Sequence, residues 1–181
     1  MTLRPAVSER DHVVGRADAR LTLVEYGDYQ CPHCASADPV VRALQIAFTG
    51  ELRFVFRNFP LTEIHPAAEP AAEFAESAAT QGKFWEVHDA IFAWSREKGP
   101  ESLGVEAFES IALGMNLDTQ QIEKDVSGHR YLERIRNDFN SGVRSGVNGT
   151  PTFFVNGQRF DGPATIIGLT EALKAVLSAR H

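Results

Sequence analysis

The sequence is poor in cysteine, in positive charge and in long apolar runs. Two of its 181 residues are cysteines, and the 18 lysines and arginines are outnumbered by 24 aspartates and glutamates, for a formal net charge of −6. Such a chain lacks the surplus of basic side chains with which proteins contact phosphates, so no nucleic-acid partner is expected. No apolar stretch approaches the length of a membrane span, and the charged residues 1–20 lack the apolar core of a signal peptide. We therefore expect a cytoplasmic protein without a membrane partner.

The first third of the chain has the pattern of a strand–helix–strand unit. Residues 21–26 form a short apolar run that predicts a buried strand, and residues 52–56 alternate with period two as a second strand does. Between them, residues 32–48 carry apolar side chains at helical spacing, and Pro32 suits the first turn of that helix. This order predicts a βαβ unit.

The rest of the chain divides into a helical block and a second set of strands. Helical spacing runs through residues 66–146, which we interpret as an insertion over a small sheet rather than a separately folding unit. Residues 152–160 then read as a hairpin around the turn pair Asn156-Gly157, and Pro163 opens a final helix. The predicted class is α/β, with βαβ, a helical insertion, then ββα.

Both cysteines lie in one segment, Tyr29-Gln30-Cys31-Pro32-His33-Cys34. Two thiols separated by two residues can bind a metal, form a structural disulfide or exchange disulfides. A structural bridge is uncommon in a reducing cytosol. A zinc site needs two further ligands, and no H-x₃₋₅-H spacing occurs among the histidines, of which we interpret His88 as a core residue and His65 as a helix-entry residue. The six histidines are His12, His33, His65, His88, His129 and His181. No metal is predicted.

The position of the pair between a strand and a helix favours disulfide exchange. Cys31 falls at the helix N-terminus, where unpaired backbone N–H groups and a partial positive charge stabilise a thiolate. Cys34 lies in the first turn, close enough to form or open a disulfide with little backbone movement. His33 adds a polar neighbour that further favours the thiolate. These features suit Cys31 as the attacking thiol and Cys34 as the resolving thiol.

Two segments, VEYGDYQCPHC and, far down the chain, GVNGTPTFFVNGQRFDG, resemble the DsbA-like branch of the thioredoxin superfamily. The resemblance runs in order over nearly the whole chain. It implies one thioredoxin-like domain over residues 1–181 with the helical insertion at 66–146. It also implies a thiol–disulfide oxidoreductase, in which Pro32 and His33 accompany a strongly oxidising disulfide.

Three further site residues follow from the resemblance. Glu25 matches the acidic residue that lies beneath the active site of this family and assists proton transfer, although a strand glutamate can also face solvent. Thr150 and Pro151 match the segment whose cis-proline faces the disulfide. There it would expose a backbone edge with which an extended substrate peptide could pair. From the residues alone, a trans proline starting an edge strand is the alternative.

The expected partners are protein or peptide thiols, with glutathione or a thioredoxin system as candidates for redox exchange. No cofactor is expected besides the redox-active Cys31–Cys34 disulfide. Two other functions stay open: a redox-sensing, partner-binding protein of the same fold without turnover, and a glutathione-dependent transferase or isomerase. The intact cysteine pair counts against the last, since such enzymes use a serine or a single cysteine. A reducing cytosol would hold a strong oxidant reduced, which leaves the direction of electron flow open.

Overall fold

A mixed five-stranded sheet lies at the centre of the computed structural model, which describes residues 1–179. Arg180 and His181, the end of the predicted domain, lie outside the described part. The strands lie in the order β1-β3-β2-β4-β5, with β2 parallel to β3 and the other neighbours antiparallel. Their bounds are β1 His12–Val14, β2 Leu21–Gly27, β3 Leu52–Asn58, β4 Thr152–Val155 and β5 Gln158–Phe160.

The helices follow the predicted order. α1 joins β2 to β3, and α7 follows β5. The helical block, α2 to α6, lies between β3 and β4 in the sequence. A short 3₁₀ helix at Pro100–Ser102 separates α3 from α4. The bounds are α1 Pro32–Ala47, α2 Ala68–Thr80, α3 Phe84–Lys98, α4 Val105–Gly114, α5 Thr119–Ser127, α6 Leu132–Arg144 and α7 Ile166–Ser178. The predicted α/β class, with βαβ, a helical block and ββα, is confirmed.

The core lies on both faces of the sheet because side chains alternate along each strand. Leu21 and Leu23 of β2 belong to the larger cluster, which also contains buried residues of α1 to α7. Val24 and Tyr26 point to the opposite face and pack in a smaller cluster with Phe154. Within residues 1–179, no helix has both the length and the apolar character that crossing a membrane requires.

Two details differ from the expected architecture. β1 was not predicted, and it pairs antiparallel with β3 at the edge of the sheet. α7 begins at Ile166 and not at Pro163, because the Thr165 side chain accepts a hydrogen bond from Gly168 N at 3.2 Å and caps the helix there.

The β4–β5 hairpin is as predicted. Both turn residues have positive φ, 45° at Asn156 and 81° at Gly157, which is the backbone geometry of a type I′ turn. The hairpin returns the chain to the carboxyl end of β2, because Thr152 pairs with Tyr26. That end of the sheet, together with the N-terminus of α1, carries the cysteine pair.

Candidate active site

The two thiols lie where β2 gives way to α1. Cys31 occupies the N-cap position of α1, and Pro32 is the first helical residue, where its missing N–H leaves no hydrogen bond unmade. Cys34 lies in the first turn. Cys31 is 4% exposed and Cys34 0%, and both are free thiols.

The surroundings of Cys31 favour its thiolate. Its pKa is lowered from 9.0 to about 5, chiefly because the Cys34 thiol donates a hydrogen bond to its sulfur. The Thr150 side chain and the backbone N–H groups of Cys34 and His33 lower the pKa further, while burial acts in the opposite direction. These N–H groups belong to the first helical turn, where no intrahelical acceptor is available. At neutral pH Cys31 is ionised.

The pKa of Cys34 is shifted in the opposite direction. Burial raises its pKa well above the ordinary value, and its hydrogen bond to Cys31 and the charge of Glu25 raise it further. The backbone N–H of Asp28 lies 3.5 Å from Cys34 Sγ and partly offsets this rise. The pair is thus asymmetric, with a thiolate at Cys31 and a thiol at Cys34.

Glu25 lies inside the sheet and not at an edge that faces solvent. It belongs to β2, between Phe56 of β3 and Phe153 of β4, and it is 2% exposed. Burial raises the pKa of its carboxyl well above the usual range, and the charges of Asp38 and Cys31 add to the rise. Oε1 has no hydrogen-bond partner within the described chain. The solvent-facing alternative is therefore wrong, because this side chain is buried.

Thr150 and Pro151 lie beside Cys31, although 119 positions separate Cys31 from Thr150 in the sequence. Cys31 Sγ lies 3.4 Å from the Thr150 carbonyl oxygen, which accepts a hydrogen bond from the thiol when Cys31 is protonated. The Thr150–Pro151 peptide bond is cis, and β4 starts at the next residue. The Thr150 hydroxyl is buried and has no competing hydrogen-bond partner among residues 1–179, so it is available to donate to the Cys31 thiolate, whose pKa it lowers.

Pro32 and His33, between the two cysteines, are both exposed. His33 acts on Cys31 through its backbone N–H. The expectation that these two residues accompany a strongly oxidising disulfide stays a prediction.

Two histidines, His88 and His65, each contact a buried polar side chain. His88 is a buried core residue, as interpreted: its Nδ1 lies 3.0 Å from the Tyr29 hydroxyl, and burial lowers its pKa to about 3. His65 is more than a helix-entry residue, because its Nδ1 lies 2.8 Å from the buried carboxylate of Asp28. Neither Asp28 nor this contact was anticipated. An aspartate directly after a strand is a signal for a side chain that binds its own turn.

One group of side chains has the composition of a metal site. Ligand atoms of Asp38, His88 and Asp89 lie within 4.8 Å of one another. The Asp38 carboxylate is paired with Arg96 at 2.7 Å, and His88 is already bonded to Tyr29. An internal polar network accounts for this group.

Comparison with known proteins agrees with the geometry. Residues 7–175 match a family model described as thioredoxin. Among curated proteins, the chain is similar to the Na(+)/H(+) antiporter NhaA 3 of Salinispora tropica, with 43% identity over 177 residues, covering 97% of this chain and 26% of that protein. The chain spans about a quarter of the length of the curated relatives it matches.

Two solved structures illustrate the similarity in fold. A thioredoxin-like oxidoreductase from Silicibacter pomeroyi is 26% identical, with a TM-score of 0.78 and 94% of each chain covered. Alpha-DsbA1 of Wolbachia pipientis is 20% identical, with a TM-score of 0.82, covering 96% of this chain and 94% of that chain.

Proposed function

The chain belongs to the thioredoxin family, and from this premise we propose that it is a DsbA-like protein that exchanges disulfides with protein or peptide thiols through Cys31 and Cys34. The observation that carries the proposal is the opposite displacement of two pKa values. That of Cys31 falls to about 5, while that of Cys34 rises well above the ordinary value. Thiolates are the nucleophiles of disulfide exchange, and a thiol of low pKa also leaves readily.

The oxidising direction runs in two steps. A substrate thiolate attacks Cys31 Sγ, the Cys31–Cys34 bond breaks, and Cys34 leaves with the bonding electron pair and takes up a proton. A second substrate thiolate then attacks the substrate sulfur of the mixed disulfide, and Cys31 leaves as a thiolate. Two electrons have passed from the substrate dithiol to the protein pair. One substrate proton ends on Cys34 and the other goes to solvent.

Glu25 is proposed as the proton relay of the first step. Cys34 is a poor leaving group because its pKa is raised, so a proton donor beside it accelerates its departure. Burial raises the pKa of the Glu25 carboxyl and so favours its protonated form, which can donate, while its ionised form raises the pKa of Cys34. Burial disfavours the ionised form of both the Glu25 carboxyl and the Cys34 thiol. It therefore favours a state in which the two groups share a proton.

Thr150 and Pro151 are proposed as the substrate-binding segment. Pro151 is partly exposed, and Thr150 contacts the Cys31 sulfur. An extended substrate peptide laid along this segment would bring its own sulfur to Cys31 by strand addition. We propose that no cofactor is needed besides the disulfide itself, and that glutathione or a thioredoxin system exchanges electrons with it.

The test is to trap the mixed disulfide. The Cys34→Ser variant, reduced and mixed with a peptide that contains an internal disulfide, should form an adduct through Cys31 that a reductant releases. Its matched control, Cys31→Ser, should form none at neutral pH because Cys34 stays protonated and buried. The wild-type protein should oxidise a reduced peptide dithiol repeatedly when oxidised glutathione is supplied.

Absence of adducts with a folded Cys34→Ser variant would overturn the proposal. Adducts without repeated turnover by the wild type would also overturn it, and would identify a redox sensor instead. Circular dichroism of both variants confirms that the fold is intact before either result is interpreted.

A further inference from the structure

The turn between β2 and Cys31 is built around the carboxylate of Asp28. This side chain is 0% exposed. Its Oδ1 accepts hydrogen bonds from the backbone N–H groups of Gln30, at 2.8 Å, and of Cys31, at 3.1 Å. One carboxylate oxygen therefore fixes the backbone that carries the nucleophile.

The other carboxylate oxygen is bound by two residues that follow β3, the strand next to β2. Asp28 Oδ2 accepts from Leu61 N and from His65 Nδ1, both at 2.8 Å. An ionised carboxylate only accepts hydrogen bonds, so Nδ1 of His65 is the protonated nitrogen in this contact. The His65 side chain is 16% exposed and faces the carboxylate from the loop that follows β3.

The two residues after Asp28 are also anchored in the helical block. The Tyr29 hydroxyl lies 3.0 Å from His88 Nδ1 of α3. The Gln30 side chain accepts from Ala67 N at 2.7 Å and donates to the Pro100 carbonyl oxygen at 3.2 Å. Each residue between β2 and Cys31 is thus held by a segment far away in the sequence, and Asp28 alone reaches Cys31 itself.

Asp28 brings an electrostatic disadvantage that His65 can offset. A buried carboxylate next to Cys31 is a like charge for the thiolate and disfavours its ionisation. A hydrogen-bond donor on the far oxygen draws charge density away from Cys31 and holds the carboxylate in place. Within residues 1–179, Leu61 N and His65 Nδ1 are the two donors on that oxygen, and His65 is the one that substitution can remove.

We propose that Asp28 and His65 are positioning residues for Cys31, with His65 holding the Asp28 carboxylate and the carboxylate holding the Cys31 backbone. The proposal rests on the disulfide exchange proposed above. Neither side chain reacts; both act through the placement and the charge environment of the nucleophile.

The test measures the Cys31 thiolate directly, by thiolate absorbance against pH and by the rate of iodoacetamide alkylation of the reduced protein. In His65→Ala the pKa of Cys31 should rise by about one unit. Starting from a pKa of about 5, that rise should slow alkylation about threefold at about pH 5.5. His65→Asn places an amide N–H where Nδ1 lies and should restore the wild-type value. His65→Gln places its amide nearer Nε2 and should not.

His12 offers a matched control. Its Nε2 lies 2.9 Å from Glu76, in a histidine–carboxylate pair with side chains 17% and 3% exposed, close to the 16% and 0% of His65 and Asp28. His12→Ala should lower the stability of the protein and leave the Cys31 pKa unchanged. An equal shift in His12→Ala would overturn the proposal, as would an unchanged pKa in His65→Ala.

Two features keep this test independent of folding and of the proposed function. Should His65→Ala fail to fold, the comparison of His65→Asn with His65→Gln replaces it, and equal Cys31 pKa values in those two variants would overturn the proposal. The thiolate measurement needs no turnover. Failure of disulfide exchange would therefore appear in the wild-type turnover assay, and failure of the positioning role in the variants.

Discussion

The redox potential of the Cys31–Cys34 pair should depend on pH in two regimes that meet near the pKa of Cys31. That pKa is about 5, against an ordinary value of 9.0. At pH 7 this difference stabilises the reduced protein by about 3 kcal/mol relative to a pair with ordinary thiols, because Cys31 is almost wholly ionised. For a two-electron couple that free energy corresponds to a potential about 60 mV more oxidising.

The slope follows from counting protons. Well above the pKa of Cys31, reduction of the disulfide takes up two electrons and one proton, which Cys34 retains because its pKa is raised. The potential should then fall by about 30 mV per pH unit. Below the pKa of Cys31 both thiols bind a proton, and the slope should steepen to about 59 mV per pH unit.

The assay is equilibration with glutathione buffers over a range of pH, with the reduced fraction counted by thiol alkylation and mass. The potential of the glutathione couple at each pH serves as the reference. Thiolate absorbance on the reduced protein gives the Cys31 pKa independently and should coincide with the change of slope. A slope of about 59 mV per unit that continues unbroken through pH 7 would mean that both thiols are protonated there, and would refute the reasoning.

Three further predictions concern groups around the site and in the core. Glu25→Gln should gain free energy of unfolding over the wild type as the pH rises from about 5 to about 8, by up to about 1.4 kcal/mol per unit. Burial raises the pKa of the native carboxyl above that of the unfolded chain, so the native state holds this proton more tightly and wild-type stability falls as the pH rises. Urea unfolding at the two pH values checks this, and an equal difference at both would contradict it. Arg57→Ala should lower the free energy of unfolding by about 3–5 kcal/mol in urea, because it leaves Asp11, paired with Arg57 at 2.7 Å with both side chains almost fully buried, without its partner. A loss below about 1 kcal/mol would mean that this pair behaves as an exposed one. Gly142→Ala should lower the melting temperature, since a Cβ there would lie 2.6 Å from the Phe59 ring, and overpacking of about 1–3 kcal/mol outweighs the gain in helix propensity of about 1 kcal/mol. A melting temperature above that of the wild type would show that the ring can move aside.

Secondary-structure elements whose own residues determine their conformation could be predicted from the sequence. The apolar run of β2 and the helical spacing of α1 predict their own conformations, and the pair Asn156-Gly157 predicts its turn. β1 could not be predicted in this way, because three residues are too few to show a period of two. β1 depends on β3, which offers it an edge for antiparallel pairing.

From the residues alone, the site could be predicted only where one segment contains it, whereas Thr150 and Pro151 were expected from the family resemblance. Cys31 and Cys34 share a turn, and their position at a helix N-terminus already indicates a stabilised thiolate. Asp28 and His65 are 37 positions apart and meet because parallel strands end at the same edge of the sheet. Nothing in the spacing of these two residues marks the contact, so it becomes visible only in three dimensions.

The asymmetry of the pair is a property of the strand–helix junction and not of the cysteines. Cys31 and Cys34 are chemically identical and both buried, yet their pKa values move in opposite directions. The difference arises from the donors: the N–H groups of the first helical turn and the Cys34 thiol all point at the Cys31 sulfur. Cys34 donates a hydrogen bond to that sulfur, and its own pKa is raised by burial, by this hydrogen bond and by the Glu25 carboxyl in its ionised form. A pair of cysteines with the same spacing one turn further into α1 would lose these donors, because N–H groups there are bonded within the helix. The roles of attacking and resolving thiol therefore come from where β2 ends and α1 begins.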